Sequence, residues 1–74
     1  MDNIVIGMSE AFEEELEAAM GSKFWDYENG EMTITRENAE TMAHKIGELV
    51  INGKASDDLR SFGSNDLLYS MWCL

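Results

Sequence analysis

The strongest pattern in this 74-residue sequence is an apolar stripe with helical spacing between residues 36 and 52. Its members recur every three or four positions, as one face of an α-helix requires: Ala39, Met42, Ala43, Ile46, Leu49 and Val50. Thr35 is a typical N-cap residue, and Asn52-Gly53 is a typical helix end. The pattern predicts a long amphipathic helix over about residues 36–52, and a fold built around it.

A second helix is predicted over residues 10–20. Ser9 can cap its N-terminus and Gly21 can end it. Its apolar positions follow the i, i+4, i+8 spacing of one helical face: Phe12, Leu16 and Met20. Because most of its other residues are glutamates, we expect an acidic N-terminal helix.

A β-hairpin is predicted over about residues 23–35. Two segments rich in aromatic and β-branched residues flank Asn29-Gly30, the dipeptide that best suits a two-residue type I′ turn. The expected register places two pairs of residues opposite each other: Tyr27 with Met32, and Trp25 with Ile34. The earlier residues 2–6 are apolar in part and are either an edge strand or a leader packed on the core.

The C-terminal region predicts two short helices. Ser56 is followed by acidic residues and opens one helix that ends near Gly63, and Ser64 opens another. The second helix carries apolar residues that we expect to dock on the core: Leu67, Leu68, Met71 and Trp72. All these elements together predict one small α+β domain covering residues 1–74.

The charge of the chain limits its partners. Fifteen acidic and five basic residues give a formal net charge of -10, whereas contacts to phosphates depend on Lys and Arg. We therefore expect no direct binding to nucleic acid or to an anionic membrane, and a basic protein surface is the natural partner. No secretory signal is visible and Cys73 is the one cysteine, which favours the cytoplasm.

The negative charge is concentrated in the first part of the chain. Residues 1–31 carry nine acidic residues against Lys23, and residues 32–74 carry six against four basic ones. On a helical wheel, four glutamates of the first helix fall within about a quarter of the circumference and form an acidic ridge: Glu10, Glu13, Glu14 and Glu17. Like charges at these spacings repel each other, so a cationic partner is expected to stabilise the ridge.

The ridge has three interpretations. It is a solvated face that keeps the protein soluble, or it binds a metal, or it imitates a row of phosphates together with the hairpin acids Asp26, Glu28 and Glu31. Trp25 and Tyr27 are either core residues or an exposed aromatic anchor between those acids. Trp72 and Leu74 are likewise either core residues or part of a homodimer or partner interface.

Catalytic and cofactor motifs are not found in the sequence. His44 has no second histidine or nearby cysteine with which to build a common zinc site. No phosphate-binding glycine loop, nucleotide fingerprint or EF-hand spacing occurs. We therefore predict no enzymatic activity, no cofactor and no metal site.

In size, acidity and α+β texture, the whole chain resembles small accessory proteins of phages and mobile elements, in particular anti-CRISPR proteins and other acidic inhibitors. This resemblance implies an inhibitor that occludes the basic nucleic-acid-binding surface of a host nuclease or CRISPR effector complex. The acids of the ridge and hairpin, with Trp25 and Tyr27, are then the expected contacts. The alternative is a regulatory or structural interaction protein, homodimeric in one form, that uses an apolar C-terminal and hairpin surface. A third class is a small enzyme or metal protein, which would show a concave site that gathers His44 and carboxylates.

Overall fold

The computed structural model describes residues 3–73, in which helices cover one face of a three-stranded antiparallel sheet. The elements follow one another along the chain as β1 (Asn3–Gly7), α1 (Glu10–Met20), β2 (Asp26–Glu28), β3 (Glu31–Thr35), α2 (Arg36–Ile51), α3 (Asp57–Ser61), a π-helical segment (Phe62–Leu67) and α4 (Leu68–Trp72). This architecture confirms the predicted small α+β domain. No helix within residues 3–73 has the length and apolar character needed to span a membrane.

The sheet has the order β1-β3-β2, so β3 is its central strand. Of the two alternatives for the N-terminal residues, the structure therefore shows an edge strand, with Asp2 outside the described residues. Ile4 lies opposite Ile34 and Ile6 opposite Met32, and all four side chains are buried. Because side chains alternate along a strand, the other face of the sheet is left to solvent.

The hairpin has the predicted turn but is shorter than predicted. Asn29 and Gly30 both have positive φ angles, 52° and 78°, as a type I′ turn requires. Tyr27 lies opposite Met32 as expected, but β2 begins only at Asp26, so the predicted pairing of Trp25 with Ile34 is wrong.

The chain before Asp26 bends away from the sheet because its polar groups find other partners. The backbone carbonyl of Phe24 accepts a hydrogen bond from the side-chain amide of Asn38 on α2, at 3.2 Å. The indole of Trp25 points into the core and donates to a side chain of α1. These contacts hold residues 24 and 25 against the helices. In a longer β2, the same residues would instead pair with β3.

The predicted ends of the first two helices are confirmed. The hydroxyls of Ser9 and Thr35 each accept a hydrogen bond from the backbone N–H three residues later, both at 3.2 Å. Gly21 ends α1 with a left-handed φ of 82°. Asn52 and Gly53 follow the last residue of α2, and Gly53 also has a positive φ, 70°.

The C-terminal region differs from the prediction of two separate helices, because α3 and α4 are joined without a break by the π-helical segment. We call residues 57–72 the C-terminal helix. Gly63 does not end a helix, and the hydroxyl of Ser64 donates to the carbonyl of Arg60 in place of capping a new one. A methyl group at Gly63 would lie 2.7 Å from Cγ2 of Ile46, so this glycine lets the C-terminal helix approach α2 closely.

The core lies between the buried face of the sheet and the three helical segments. The most deeply buried large side chains come from all of these elements: Leu16, Met32, Ile34, Met42, Leu59 and Leu67. The rings of Phe12 and Phe62, 5.2 Å apart, join α1 to the C-terminal helix. The ammonium of Lys45 donates to the carbonyl of Met20, at 3.3 Å, and ties α2 to the end of α1. These contacts fix the position of α1 and its glutamates.

Candidate protein-binding surface

The three predicted hairpin acids share the solvent face of the sheet. Asp26 and Glu28 are two residues apart on β2 and therefore point to the same side. Glu28 lies opposite Glu31 on β3, and all three acids are exposed. The strand pairing thus gathers on one face the carboxylates that the sequence places on both sides of a turn.

The ridge predicted on α1 loses one of its four members. Glu10, Glu14 and Glu17 are exposed, but Glu13 is only 5% exposed. Its position borders the apolar stripe of α1. The side chain turns inward because the indole N–H of Trp25 and the ammonium of Lys23 bind its carboxylate there. The expectation that Glu13 contacts a partner is therefore wrong, and three glutamates of the ridge remain on the surface.

Glu13 organises a buried polar contact below the surface. Its Oε2 accepts a hydrogen bond from the indole N–H of Trp25 at 3.1 Å, and Nζ of Lys23 lies 3.0 Å from the same oxygen. A buried carboxylate requires such partners, because an unpaired one loses its hydration without compensation. The contact locks the chain before β2 against α1.

The two predicted aromatic contacts are not free surface residues. Trp25 is 6% exposed and belongs to the core, which corrects the expectation of an exposed tryptophan anchor. Tyr27 is half-buried, and its hydroxyl donates to the backbone carbonyl of Met8 at 2.8 Å. Both aromatics therefore support the hairpin, and the exposed groups around them are carboxylates.

Lys23 marks the point where the acids of α1 and of the sheet meet. The hydrogen bond to Glu13 is the main cause that raises the pKa of Lys23 above its ordinary value, and the charges of Glu13, Glu17 and Asp26 raise the pKa further. The ammonium of Lys23 thus interacts electrostatically with carboxylates of both α1 and β2. We call the six exposed acids of α1 and the hairpin the acidic surface: Glu10, Glu14, Glu17, Asp26, Glu28 and Glu31.

The acidic surface is electrostatically unfavourable in the isolated protein. Glu10, Glu14 and Glu17 follow each other at i, i+4 and i, i+3 spacings, where like charges cost a few tenths of a kcal/mol per pair. Glu28 and Glu31 are directly opposite across the hairpin, where like charges also destabilise. A bound array of Lys and Arg side chains would convert this repulsion into attraction.

A second surface, not predicted as a site, lies between α2 and the C-terminal helix. It is a groove of about 690 Å³, which we call the apolar groove. Its apolar lining comes from both helices: Ala43, Ile46, Gly47, Val50, Ile51, Gly63, Leu68 and Met71. Its charged or titratable residues are Glu40, His44 and Arg60. In the sequence, the apolar pair Val50-Ile51 was the signal for it, because that pair makes the stripe of α2 wider than one buried face.

Large exposed side chains lie beside the apolar groove. Ile51 is 84% exposed, and on α4 Tyr69 is 71% and Trp72 is 87% exposed. Trp72 is therefore not a core residue, whereas Leu74 lies outside the described residues. Trp25 is buried, so the hairpin contributes no tryptophan to an apolar surface.

The remaining candidate residues are dispersed. His44 is exposed on the wall of the apolar groove, and Cys73 is exposed just after α4. Within residues 3–73, no group of three or more His, Cys, Asp or Glu side chains is placed to hold a metal ion. No protein-family model, curated protein or solved structure matches the chain.

Proposed function

We propose that this protein is an acidic, protein-binding inhibitor of the kind that anti-CRISPR proteins exemplify, acting in the cytoplasm. Its acidic surface docks on a basic surface that another protein uses to hold nucleic acid. The observation that carries this proposal is that Lys23, whose charge Glu13 already neutralises, lies under the influence of Glu17 on α1 and Asp26 on β2 and borders one hollow with Asp26, Glu28 and Glu31. The surface therefore offers cationic side chains a concentrated negative potential.

The mechanism is electrostatic and steric occlusion. Carboxylates, like phosphates, accept charge-assisted hydrogen bonds from Arg in a bidentate geometry. Along α1, the acids from Glu10 to Glu17 extend over roughly 10 Å, and Asp26 and Glu28 are about 7 Å apart along β2. A partner that engages these carboxylates with its Arg and Lys no longer has them available for phosphates. Charge complementarity also accelerates association.

The rigidity of the acidic surface supports this mechanism. Three of its acids are held by strand pairing, and the other three stand on a helix with side-chain and glycine caps at its ends. The contact of Glu13 with Lys23 and Trp25 joins these two elements. Because the backbone that carries these carboxylates is already in place, binding of a partner has to order only their side chains.

A second candidate function is supported by the apolar groove and by the exposure of Trp72 and Ile51. In this case the protein is a regulatory or structural interaction protein whose contacts are mainly apolar. Its binding would depend little on salt, whereas binding through exposed charges weakens strongly as salt rises. Salt dependence therefore distinguishes the two functions.

A capture experiment tests the first function. The tagged protein is incubated with bacterial lysate at about 0.1 M and about 0.5 M salt, and bound proteins are quantified by mass spectrometry. The test variant removes three charges from the acidic surface without changing side-chain size: Glu14→Gln, Glu17→Gln and Asp26→Asn. We expect nucleic-acid-binding proteins to be captured by the wild type at low salt and lost both at high salt and with this variant.

A matched variant separates a local effect from the effect of net charge. It removes three exposed charges elsewhere, through Glu37→Gln, Glu48→Gln and Asp66→Asn. We expect this variant to keep most of the wild-type capture. Equal loss with both variants, or capture that persists at high salt, would contradict the acidic surface as the binding site.

A further inference from the structure

We propose that the apolar groove is the interface of a two-fold symmetric homodimer of this protein. The groove adjoins a second, smaller hollow that carries exposed aromatic side chains. Leu68 lines the groove and also a neighbouring hollow on α4, which Tyr69 and Trp72 border. Residues of the groove and of α4 would therefore be covered together when a second copy binds.

The exposed apolar area fits an interface between two small proteins. Ile51, Leu68, Tyr69 and Trp72 are 84%, 40%, 71% and 87% exposed. Together they present roughly 500 Å² to solvent, near the upper end for the largest apolar patch of a monomer. A standard interface buries about 800 Å² on each partner. These four side chains therefore supply more than half of the area that such an interface needs.

The charges on the groove are self-complementary, as a two-fold interface requires. Glu40 and Arg60 both line the groove, and neither forms an ion pair within the described residues 3–73. Glu40 lies eleven residues, about 16 Å along the helix, before the end of α2 at Ile51. Arg60 follows the short connection from that end, so the two charges lie at opposite ends of the groove.

A two-fold axis through the centre of the groove exchanges its ends. Glu40 of one copy then faces Arg60 of the other, and the reverse pair forms on the opposite side of the axis. The same exchange places the apolar centre of one copy against that of the other. A groove with one charge of each sign at its two ends therefore fits a second copy of this chain.

The overall charge of -10 does not oppose this arrangement strongly. None of the six carboxylates of the acidic surface lines the apolar groove. Most of the repelling charge therefore lies outside the contact, where solvent and salt screen it, and the acids at the contact are Glu40 in the groove and Asp66 beside the hollow on α4. The proposal is thus independent of the partner suggested for the acidic surface, and a dimer leaves that surface free.

Gly47 allows the groove to be blocked without disturbing the monomer. It lies inside α2 and lines the groove, and a Cβ built there meets no atom within 4 Å. Gly47→Gln therefore projects a neutral side chain into the groove while it improves the helix propensity of α2. The matched control is Thr41→Gln, which places the same side chain at an exposed position of α2 that does not line the groove.

The oligomeric state is measured by sedimentation equilibrium of the full chain from about 5 to about 500 µM, at about 0.15 M salt. We expect the wild type and Thr41→Gln to approach twice the 8.4 kDa monomer mass. For Gly47→Gln we expect a dimer dissociation constant at least about tenfold higher. Circular dichroism verifies that each variant keeps the helical fold.

Charge exchange tests whether the occupant is a second copy. We expect Arg60→Glu and Glu40→Arg each to weaken the dimer by about tenfold, and the two together to restore it to within about threefold. A wild type that stays monomeric at about 500 µM would overturn the proposal. A dimer that is insensitive to Gly47→Gln would overturn it as well, because its interface would lie elsewhere.

Discussion

At the scale of single residues, Glu13 shows how one contact determines which acids reach the surface. Its spacing from Glu10 and Glu17 predicted a fourth member of an exposed ridge. The structure turns it inward, toward the indole of Trp25 and the ammonium of Lys23. Those donors come from a segment ten to twelve residues later in the chain, so helical periodicity alone carried no signal of them.

The first prediction concerns the free energy of unfolding of Glu13 variants. Glu13→Ala leaves the buried indole N–H of Trp25 without its acceptor, and we expect a loss of about 1–3 kcal/mol. Glu13→Gln keeps an acceptor oxygen and is expected to lose less. Urea unfolding followed by circular dichroism measures both variants.

The control for these variants is Glu14→Ala, which truncates the neighbouring exposed glutamate of the same helix. We expect it to change the free energy of unfolding by less than about 0.5 kcal/mol. A loss of similar size for Glu13→Ala and Glu14→Ala would mean that helix propensity or charge, and not the contact with Trp25, determines the effect.

At the scale of the elements, the sequence correctly predicted the helix ends and the turn, because these features depend on residues that are close together in the chain. Ser9 and Thr35 cap the N-termini of α1 and α2 and Gly21 ends α1 as expected, and Asn29-Gly30 forms the expected turn. The predictions failed where a distant partner decided the outcome. Asn38 and Glu13 bind the residues before Asp26 and so shorten β2. Gly63 resembles a helix end in the sequence, but in the structure it lies inside the C-terminal helix and allows close contact with Ile46.

The candidate sites followed the same rule. The alternating pattern of the hairpin placed Asp26, Glu28 and Glu31 on one face, because the turn fixes the register. The apolar groove was missed because the pair Val50-Ile51 indicates only extra apolar surface on α2, and the groove forms between two helices whose packing the sequence does not specify. Its glycine contact and its lining residues become visible only when α2 and the C-terminal helix are placed together.

The second prediction compares the two glycines at this helix pair. Gly63→Ala forces a methyl group against Ile46, and we expect a net loss of about 1–2 kcal/mol despite the better helix propensity of alanine. Gly47→Ala meets no neighbour and is expected to gain up to about 1 kcal/mol. Thermal unfolding measures both changes, and a stabilised Gly63→Ala would contradict the close packing of α2 with the C-terminal helix.

At the scale of the whole molecule, the separation of charge and apolar area defines two surfaces with different physics. Binding through the acidic surface would depend on Coulomb attraction and weaken as salt rises. Binding through the apolar groove would depend on the burial of apolar area and change little with salt. A homodimer through the groove would carry two acidic surfaces. It would bind a partner with repeated basic sites more tightly than one copy does, provided that both surfaces reach their sites.

The third prediction concerns the dependence of stability on salt. Because the chain carries a net charge of -10, we expect its melting temperature to rise between about 0.01 M and about 0.5 M sodium chloride as repulsion is screened. The variant with Glu14→Gln, Glu17→Gln and Asp26→Asn should melt higher than the wild type at low salt and show a smaller increase. A wild-type melting temperature that is independent of salt would contradict the repulsion assigned to the acidic surface.

The most direct test of the proposed function is competition with nucleic acid. A captured partner is loaded with fluorescently labelled nucleic acid, and the protein is added in increasing amounts while fluorescence anisotropy reports the bound fraction. We predict that the wild type and the variant with Glu37→Gln, Glu48→Gln and Asp66→Asn displace the nucleic acid. The acidic-surface variant should require at least about tenfold more protein, which corresponds to a loss of about 1.4 kcal/mol in binding. Displacement at equal concentrations by the acidic-surface variant, or a ternary complex that keeps its nucleic acid, would contradict the account.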